Sequence, residues 1–220
     1  MRSLRVHRLG TISYEDALIV QAKLVEERRA GAIPDTLLLL QHPPVITLGV
    51  KTRRGPSHIV ASDDALAMAG VTVHETGRGG DVTYHGPGQL VGYPILDLAP
   101  DRKDVHIYVR DIEEVLIRTA AVFGVEATRV PGLTGVWTGP EGQEQKLAAI
   151  GIRISRWITS HGFALNVSTN LDHFDLIVPC GIVGRRVTSL EKLLGQVVTI
   201  EEAERAVEQS FFALGWRAAA

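Results

Sequence analysis

Between Val125 and Val167 the chain runs as short segments of alternating polarity, each bounded by turn residues: Gly135-Val136-Trp137-Thr138, Leu147 to Ile154, and Ile158 to Val167. Alternation with a period of two turns one face of a strand to a core and the other to solvent, and strands joined by tight turns run antiparallel. This stretch therefore predicts an antiparallel meander. A meander with one apolar face must be covered, and the rest of the chain has to supply the cover.

Ser13 to Arg28 sets Tyr14, Ala17, Leu18, Gln21, Leu24, Val25 and Arg28 on one helical face, with Ser13 as N-cap and Gly31 just past the end. Val105, Tyr108, Val109, Ile112, Leu116, Thr119, Ala120 and Phe123 form the stripe of a longer helix that starts after Asp104 and stops at Gly124. Thr199 and Glu202 have the spacing of a capping box before a third helix carrying Ala203, Val207, Ser210, Phe211 and Leu214 on one face. A short helix is expected over Ser62 to Ala69, with a strand over Val71 to His74. The aliphatic runs Thr36 to Gln41 and Val45 to Gly49 read as two strands joined by a turn at His42-Pro43-Pro44.

Helices and strands mix here without a regular strand-helix-strand repeat. The expected class is α+β, with helices packed on a mostly antiparallel mixed sheet. At 220 residues the chain sits between one and two domains of roughly 150 residues. No linker or repeat divides it, so residues 1–220 read as one domain. A small C-terminal lobe from about Thr188, where the pattern turns helical, is the alternative.

Lys plus Arg number 23 against 25 for Asp plus Glu, a balance that argues against a broad nucleic-acid-binding face. The N-terminus alternates basic and apolar residues without a signal-peptide core, and Leu37 to Leu40 is far short of a membrane span. The single cysteine, Cys180, excludes an intramolecular disulfide, paired-cysteine redox motifs and multi-cysteine metal sites. These features place the chain in the cytoplasm, with neither a nucleic-acid nor a membrane partner. No metal or cofactor is expected.

Chemistry concentrates in two places. The first is the glycine-rich run Gly77 to Gln89, which holds Arg78, Tyr84 and His85 and brings backbone N–H groups within reach of a ligand. Neither a dinucleotide fingerprint nor a P-loop fits it, because Val82 stands where a third glycine is needed and no Gly-Lys-Ser/Thr follows. A plain surface turn is the competing reading. The second is Pro179-Cys180-Gly181, where proline fixes the backbone before the thiol and glycine frees the N–H after it. That setting suits a nucleophile beside an oxyanion donor, against the simpler reading of a buried apolar cysteine. A free thiol, with pKa near ~8.5, is largely protonated at neutral pH and needs a cation or base. His85, His161, His173 and Lys146 are the candidates, and a Cys-His or Cys-Lys acyl-transfer enzyme follows.

Taken together, Arg78 to Gln89, Lys146-Leu147-Ala148-Ala149-Ile150-Gly151-Ile152-Arg153, His161 to Val167 and Pro179-Cys180-Gly181-Ile182 resemble the octanoyltransferases of lipoate biosynthesis. His42-Pro43-Pro44-Val45 and Thr47-Leu48-Gly49 fit the same family. The resemblance implies a catalytic domain like that of biotin and lipoate protein ligases. It also implies transfer of an octanoyl or lipoyl group from acyl carrier protein to a lysine of lipoyl domains, those of 2-oxoacid dehydrogenase complexes and the H protein of glycine cleavage. By the same resemblance Cys180 is the thioester-forming nucleophile and Lys146 the group that lowers its pKa. Arg78, Gly79, Gly80, Asp81, Val82, Thr83, Tyr84 and His85, then Ala149, Ile150 and Gly151, then Gly162, Phe163 and Ala164 are implied to contact the substrate. Asp81, where an amide is also familiar, and Phe163, where leucine is common, are mild departures. The rival readings are an ATP-dependent ligase on the same architecture, with Cys180 incidental, a non-catalytic acyl carrier or sensor, and a cysteine hydrolase.

Overall fold

Ser13, Asp104 and Thr199 each start a helix by accepting backbone N–H groups of its first turn. They open α1 (Tyr14–Arg29), α3 (Val105–Val122) and α5 (Ile200–Ala213), and Thr199 and Glu202 complete the expected capping box. Two short helices, α2 (Asp63–Met68) and α4 (Leu190–Leu194), begin in the same way at Ser62 and Ser189. The structure, a computed structural model, describes residues 2–54, 58–178 and 186–219, and the side chains of Arg53 and Arg54 lie outside that description.

The strands are β1 (Arg2–Thr11), β2 (Asp35–Gln41), β3 (Val45–Leu48), β4 (Thr72–Glu75), β5 (Val82–His85) and β6 (Gln89–Ile95). Next come β7 (Thr128–Val130), β8 (Leu133–Thr138), β9 (Gln145–Ser155), β10 (Ile158–Asn166) and β11 (Trp216–Ala218). The large sheet has the order β11-β1-β2-β6-β10-β9-β8-β7, and a small one has the order β4-β3-β5. β7 to β10 form the expected meander. β1 lies parallel to β2 and β11, while the other pairs of the large sheet are antiparallel.

The two aliphatic runs are the strands expected, joined at His42-Pro43-Pro44, and they belong to different sheets: β2 lies between β1 and β6 in the large sheet, while β3 pairs with β4 and β5 in the small one. His42-Pro43-Pro44 carries the chain out of one sheet and into the other, since neither proline can donate to a ladder. His42 is fully buried at this crossing, where Nδ1 donates to the Ile12 carbonyl at 2.9 Å and Nε2 accepts from the Tyr93 hydroxyl at 2.8 Å.

The large sheet is covered on both faces, which explains the unbroken apolar run of β2. Leu37 and Leu39 enter the cluster under α3 and α5, with Tyr108, Ile112, Leu116, Val207 and Phe211. Leu38 and Leu40 face the other way, with Ala17 of α1, Val91, Tyr93 and Ala164. Residues beyond Thr188 share the first cluster: Leu190, Val207, Phe211 and Trp216 pack with Leu37, Leu90 and Leu165. A third cluster, with Ile46, Leu66, Val82, Tyr84 and Phe174, lies behind the small sheet. Among the described residues no helix is long and apolar enough to cross a membrane.

Candidate active site

The small sheet meets the large one along the glycine-rich run. Gly79 N–H donates to the Ile152 carbonyl of β9 at 2.8 Å, while Gly49, Val50 and Lys51 N–H donate to the carbonyls of Asp81, Arg78 and Gly80 at 3.1, 3.0 and 3.1 Å. The run is thereby stitched to the chain just past β3 on one side and to β9 on the other, above the paired residues Ala149–Ala164, Ile150–Phe163 and Gly151–Gly162 of β9 and β10. Under this bridge lies a cavity of about 440 Å³, a volume typical of small-molecule sites.

The cavity walls include Arg78, Gly79, Gly80, Asp81, Val82, Thr83, His85, Lys146, Ala149, Ile150, Gly151, Gly162, Phe163 and Ala164. Tyr84 is not among them. Strand alternation in β5 sends its ring behind the small sheet, against Phe174, and its hydroxyl to Nδ1 of His173 at 2.6 Å. His173 is thus engaged on the far side of that strand. Cys180 lies outside the described residues.

Arg78 is buried and fans over β3: Nε and Nη2 donate to the Thr47 hydroxyl at 3.1 and 2.9 Å, Nη2 to the Thr47 carbonyl at 2.7 Å, and Nη1 to the Gly79 carbonyl at 3.0 Å. Asp81 is held by the Val82 N–H at 2.7 Å and by His58 Nδ1 at 2.7 Å. Lys146 is buried in β9, with Nζ 4.7 Å from the centroid of the Trp137 ring. Its backbone N–H donates to the Arg186 carbonyl at 2.9 Å, and its carbonyl accepts from the Thr188 N–H at 3.0 Å. The chain that follows Cys180 therefore re-enters the described fold beside Lys146.

The polar end of the cavity is an aromatic and imidazole group. Tyr14 stacks on His85 at 6.4 Å, and the His42 ring meets Tyr14 at 5.3 Å, His85 at 5.9 Å and Tyr93 at 6.0 Å. Burial pushes the His42 and His161 imidazoles down to about 4, and the Arg78 charge adds to the effect at His161. His85 falls to about 3, first from burial and then from His42 and Arg78. All three rings are neutral at ordinary pH. Burial raises the Tyr14 and Tyr93 hydroxyls.

Tyr14, Tyr93, Val109, Leu133 and Ile152 also line the cavity, and the sequence did not single them out as site residues. Tyr14 and Val109 were legible as helix-face residues. Only the long-range packing of α1 and α3 makes them walls. Among the described residues no three His, Cys, Asp or Glu side chains are grouped to hold a metal ion.

Residues 13–212 match the lipoyl protein ligase A/B catalytic domain, the class of protein that this fold and cavity define. The chain is 53% identical over 213 residues to an octanoyltransferase of Myxococcus xanthus, covering 96% of this chain and 59% of that protein. It is 59% identical over 197 residues to an octanoyltransferase of Acidobacterium capsulatum, covering 86% of this chain and 79% of that one. A chain from the structure of the bi-partite lipoate protein ligase of Thermoplasma acidophilum and its E2 lipoyl domain shares the fold, with a TM-score of 0.74 at 17% identity over 100% of this chain and 86% of that one. The chain belongs to the lipoyl protein ligase A/B catalytic domain family and, within it, to the octanoyltransferases.

Proposed function

We propose that this chain moves an octanoyl group from an acyl carrier protein, through a thioester on Cys180, to a lysine amine on a lipoyl domain. Lipoyl domains of 2-oxoacid dehydrogenase complexes and the H protein of glycine cleavage are the acceptors. The observation that carries the proposal is one convergence. A buried lysine of β9, the glycine-rich run and an apolar wall of Ala149, Ile150, Ile152, Phe163 and Ala164 meet around one cavity, beside the re-entry of the Cys180 segment.

The apolar wall suits a saturated chain, each buried methylene of which contributes about 0.8 kcal/mol. The Cys180 thiolate attacks the thioester carbonyl. A new carbon–sulfur bond forms, the carbon–sulfur bond to the carrier breaks, and the carrier leaves as its thiol after taking up a proton. Thioester replaces thioester, so the step is near thermoneutral and needs no ATP. The lysine amine then attacks the acyl-enzyme, the Cys180 thiolate departs, and the amide that forms is the more stable product. Lys146 as an ammonium stabilises the thiolate and gives its proton to the departing carrier thiol, and once neutral it takes the proton that the amine gives up. Arg78 and Thr47 hold the glycine-rich run over the acyl group.

Lipoate ligases share this fold at low identity, so the fold alone leaves an ATP-dependent route as the rival. The octanoyltransferase relatives above 50% identity favour the ATP-free route. Incubation of the protein with octanoyl acyl carrier protein and a lipoyl domain, without ATP, should yield the octanoyl amide. Product formed only when ATP and free octanoate are supplied would overturn the proposal.

A further inference from the structure

Gln89 and Asn166 are directly paired residues of β6 and β10, and their side chains form a chain of hydrogen bonds between a backbone carbonyl and the cavity. Asn166 Nδ2 donates to the Thr188 carbonyl at 2.9 Å. A carbonyl can only accept, so the other end of the Asn166 amide must be oxygen. That oxygen accepts from Gln89 Nε2 at 2.9 Å, and the same nitrogen reaches the Tyr84 carbonyl at 3.2 Å. Two carbonyl oxygens thus fix the Gln89 amide, leaving Gln89 Oε1 to face His85 Nδ1 at 2.7 Å. An amide oxygen can only accept, so Nδ1 carries the proton.

The turn that makes this contact is written in the chain. Gln89 N–H donates to the Gly86 carbonyl at 3.1 Å, Pro87 follows Gly86, and Gly88 takes φ +80°, a conformation that type II turns reserve for glycine. The turn folds Gln89 back beneath His85.

His85 is one of the cavity residues, and its other ring nitrogen, Nε2, has no hydrogen-bond partner among the described residues. A neutral imidazole protonated on Nδ1 presents a lone pair at Nε2. Arg78 and Lys146, by contrast, bring N–H donors to the same cavity. An acyl chain and a thioester carbonyl offer no N–H or O–H to an acceptor. The attacking amine does.

We propose that Gln89 and Asn166 are positioning residues that fix the tautomer of His85, so that Nε2 accepts a hydrogen bond from the lysine amine attacking the acyl-enzyme. The inference rests on the acyl-transfer reading and adds a group specific to its second step. One N–H of the amine donates to His85 Nε2, a contact that leaves the nitrogen lone pair free for the thioester carbon. The ring stays neutral at working pH, its burial and the Arg78 charge holding it there, so it orients the amine while another group removes the proton.

The test has two arms. Nitrogen-15 NMR of the histidine rings in the free wild-type protein should show His85 protonated at Nδ1 and bare at Nε2. A proton on Nε2 at neutral pH would overturn the proposal without any reference to catalysis. In single-turnover kinetics, Gln89→Leu should shift the His85 tautomer and slow transfer from the preformed octanoyl-enzyme to a lipoyl domain at least tenfold more than it slows loading of the enzyme. Equal slowing of both steps, or none, would also overturn it. If the wild type forms no octanoyl-enzyme, the acyl-relay reading fails, whereas a loaded wild type with an unselective Gln89→Leu variant defeats the His85 assignment alone.

Discussion

Lys146 stands opposite Trp137 across the ladder of β8 and β9, with its ammonium 4.7 Å from the centroid of the indole ring. The ring quadrupole attracts the cation without neutralising it. In the proposed relay this ammonium is the group that stabilises the Cys180 thiolate.

Replacing Lys146 with alanine should therefore spare the fold and strike the chemistry. Loss of a positioned proton-transfer group typically costs about 100-fold or more in rate. Stopped-flow loading with octanoyl acyl carrier protein should show that fall in Lys146→Ala, with a circular dichroism spectrum matching the wild type. Unchanged loading would remove Lys146 from its assigned role.

Gly135 packs beneath the same lysine. Its φ is +125°, and a Cβ placed there would lie 2.7 Å from the Ala148 carbonyl and 3.5 Å from Lys146 Cε. The Gly135 N–H is held by Glu113, a fully buried carboxylate that also pairs with Arg110 and Arg129. Gly135→Ala should lower stability by about 1–3 kcal/mol, as overpacking does, and should slow loading because the clash with the Ala148 carbonyl shifts β9, the strand that carries Lys146. A variant with wild-type melting temperature and wild-type loading would contradict this local account.

Arg78 binds the Thr47 hydroxyl, the Thr47 carbonyl and the Gly79 carbonyl together, which takes a planar fork of donors. A lysine has one nitrogen and cannot span these acceptors. Arg78→Lys should raise KM for the acyl donor by about tenfold, consistent with losing roughly 1.4 kcal/mol of hydrogen bonding to the charged group. Steady-state kinetics against carrier concentration read this directly, and a KM within twofold of wild type would refute it.

The buried imidazoles make the fold sensitive to acid. His42 and His161 are held at about 4 and His85 at about 3, below the 6.5 of an unfolded chain. Between these limits the unfolded chain takes up protons that the folded chain refuses, so stability rises with pH and is lost on acidification from about 6.5 downward. At pH 5 the loss is roughly 2 kcal/mol for each histidine. Urea midpoints should fall markedly from pH 7 to pH 5. Equal midpoints would mean that the imidazoles are not held neutral by the fold.

How much of this was legible beforehand follows from the range of each interaction. The starts of α1, α3 and α5 were readable because a cap is satisfied within three residues of itself, as at Ser13, Asp104 and Thr199. The partner of β3 was not, because sheet pairing joins residues far apart and the prolines after His42 mark a break without saying where the chain goes next. The ten-residue strand β1 was not read as a strand, although the basic and apolar residues of the N-terminus alternate with the period of two that a strand has. The cavity residues were recognised from motifs, and their convergence depends on the two sheets meeting. Tyr84 shows the difference: its motif placed it with its neighbours, while the period of the strand turned it away from them. Tyr14 and Tyr93 show the reverse, outside every motif yet part of the wall.

The relay through Cys180 is the centre of the account, and intact-protein mass spectrometry after brief exposure to octanoyl acyl carrier protein tests it most directly. The expected result is one octanoyl adduct, released by hydroxylamine, located on the Cys180 peptide and discharged on addition of a lipoyl domain. Octanoyl transfer to the lipoyl domain that proceeds with no adduct on Cys180, or proceeds equally well in Cys180→Ala, would contradict it.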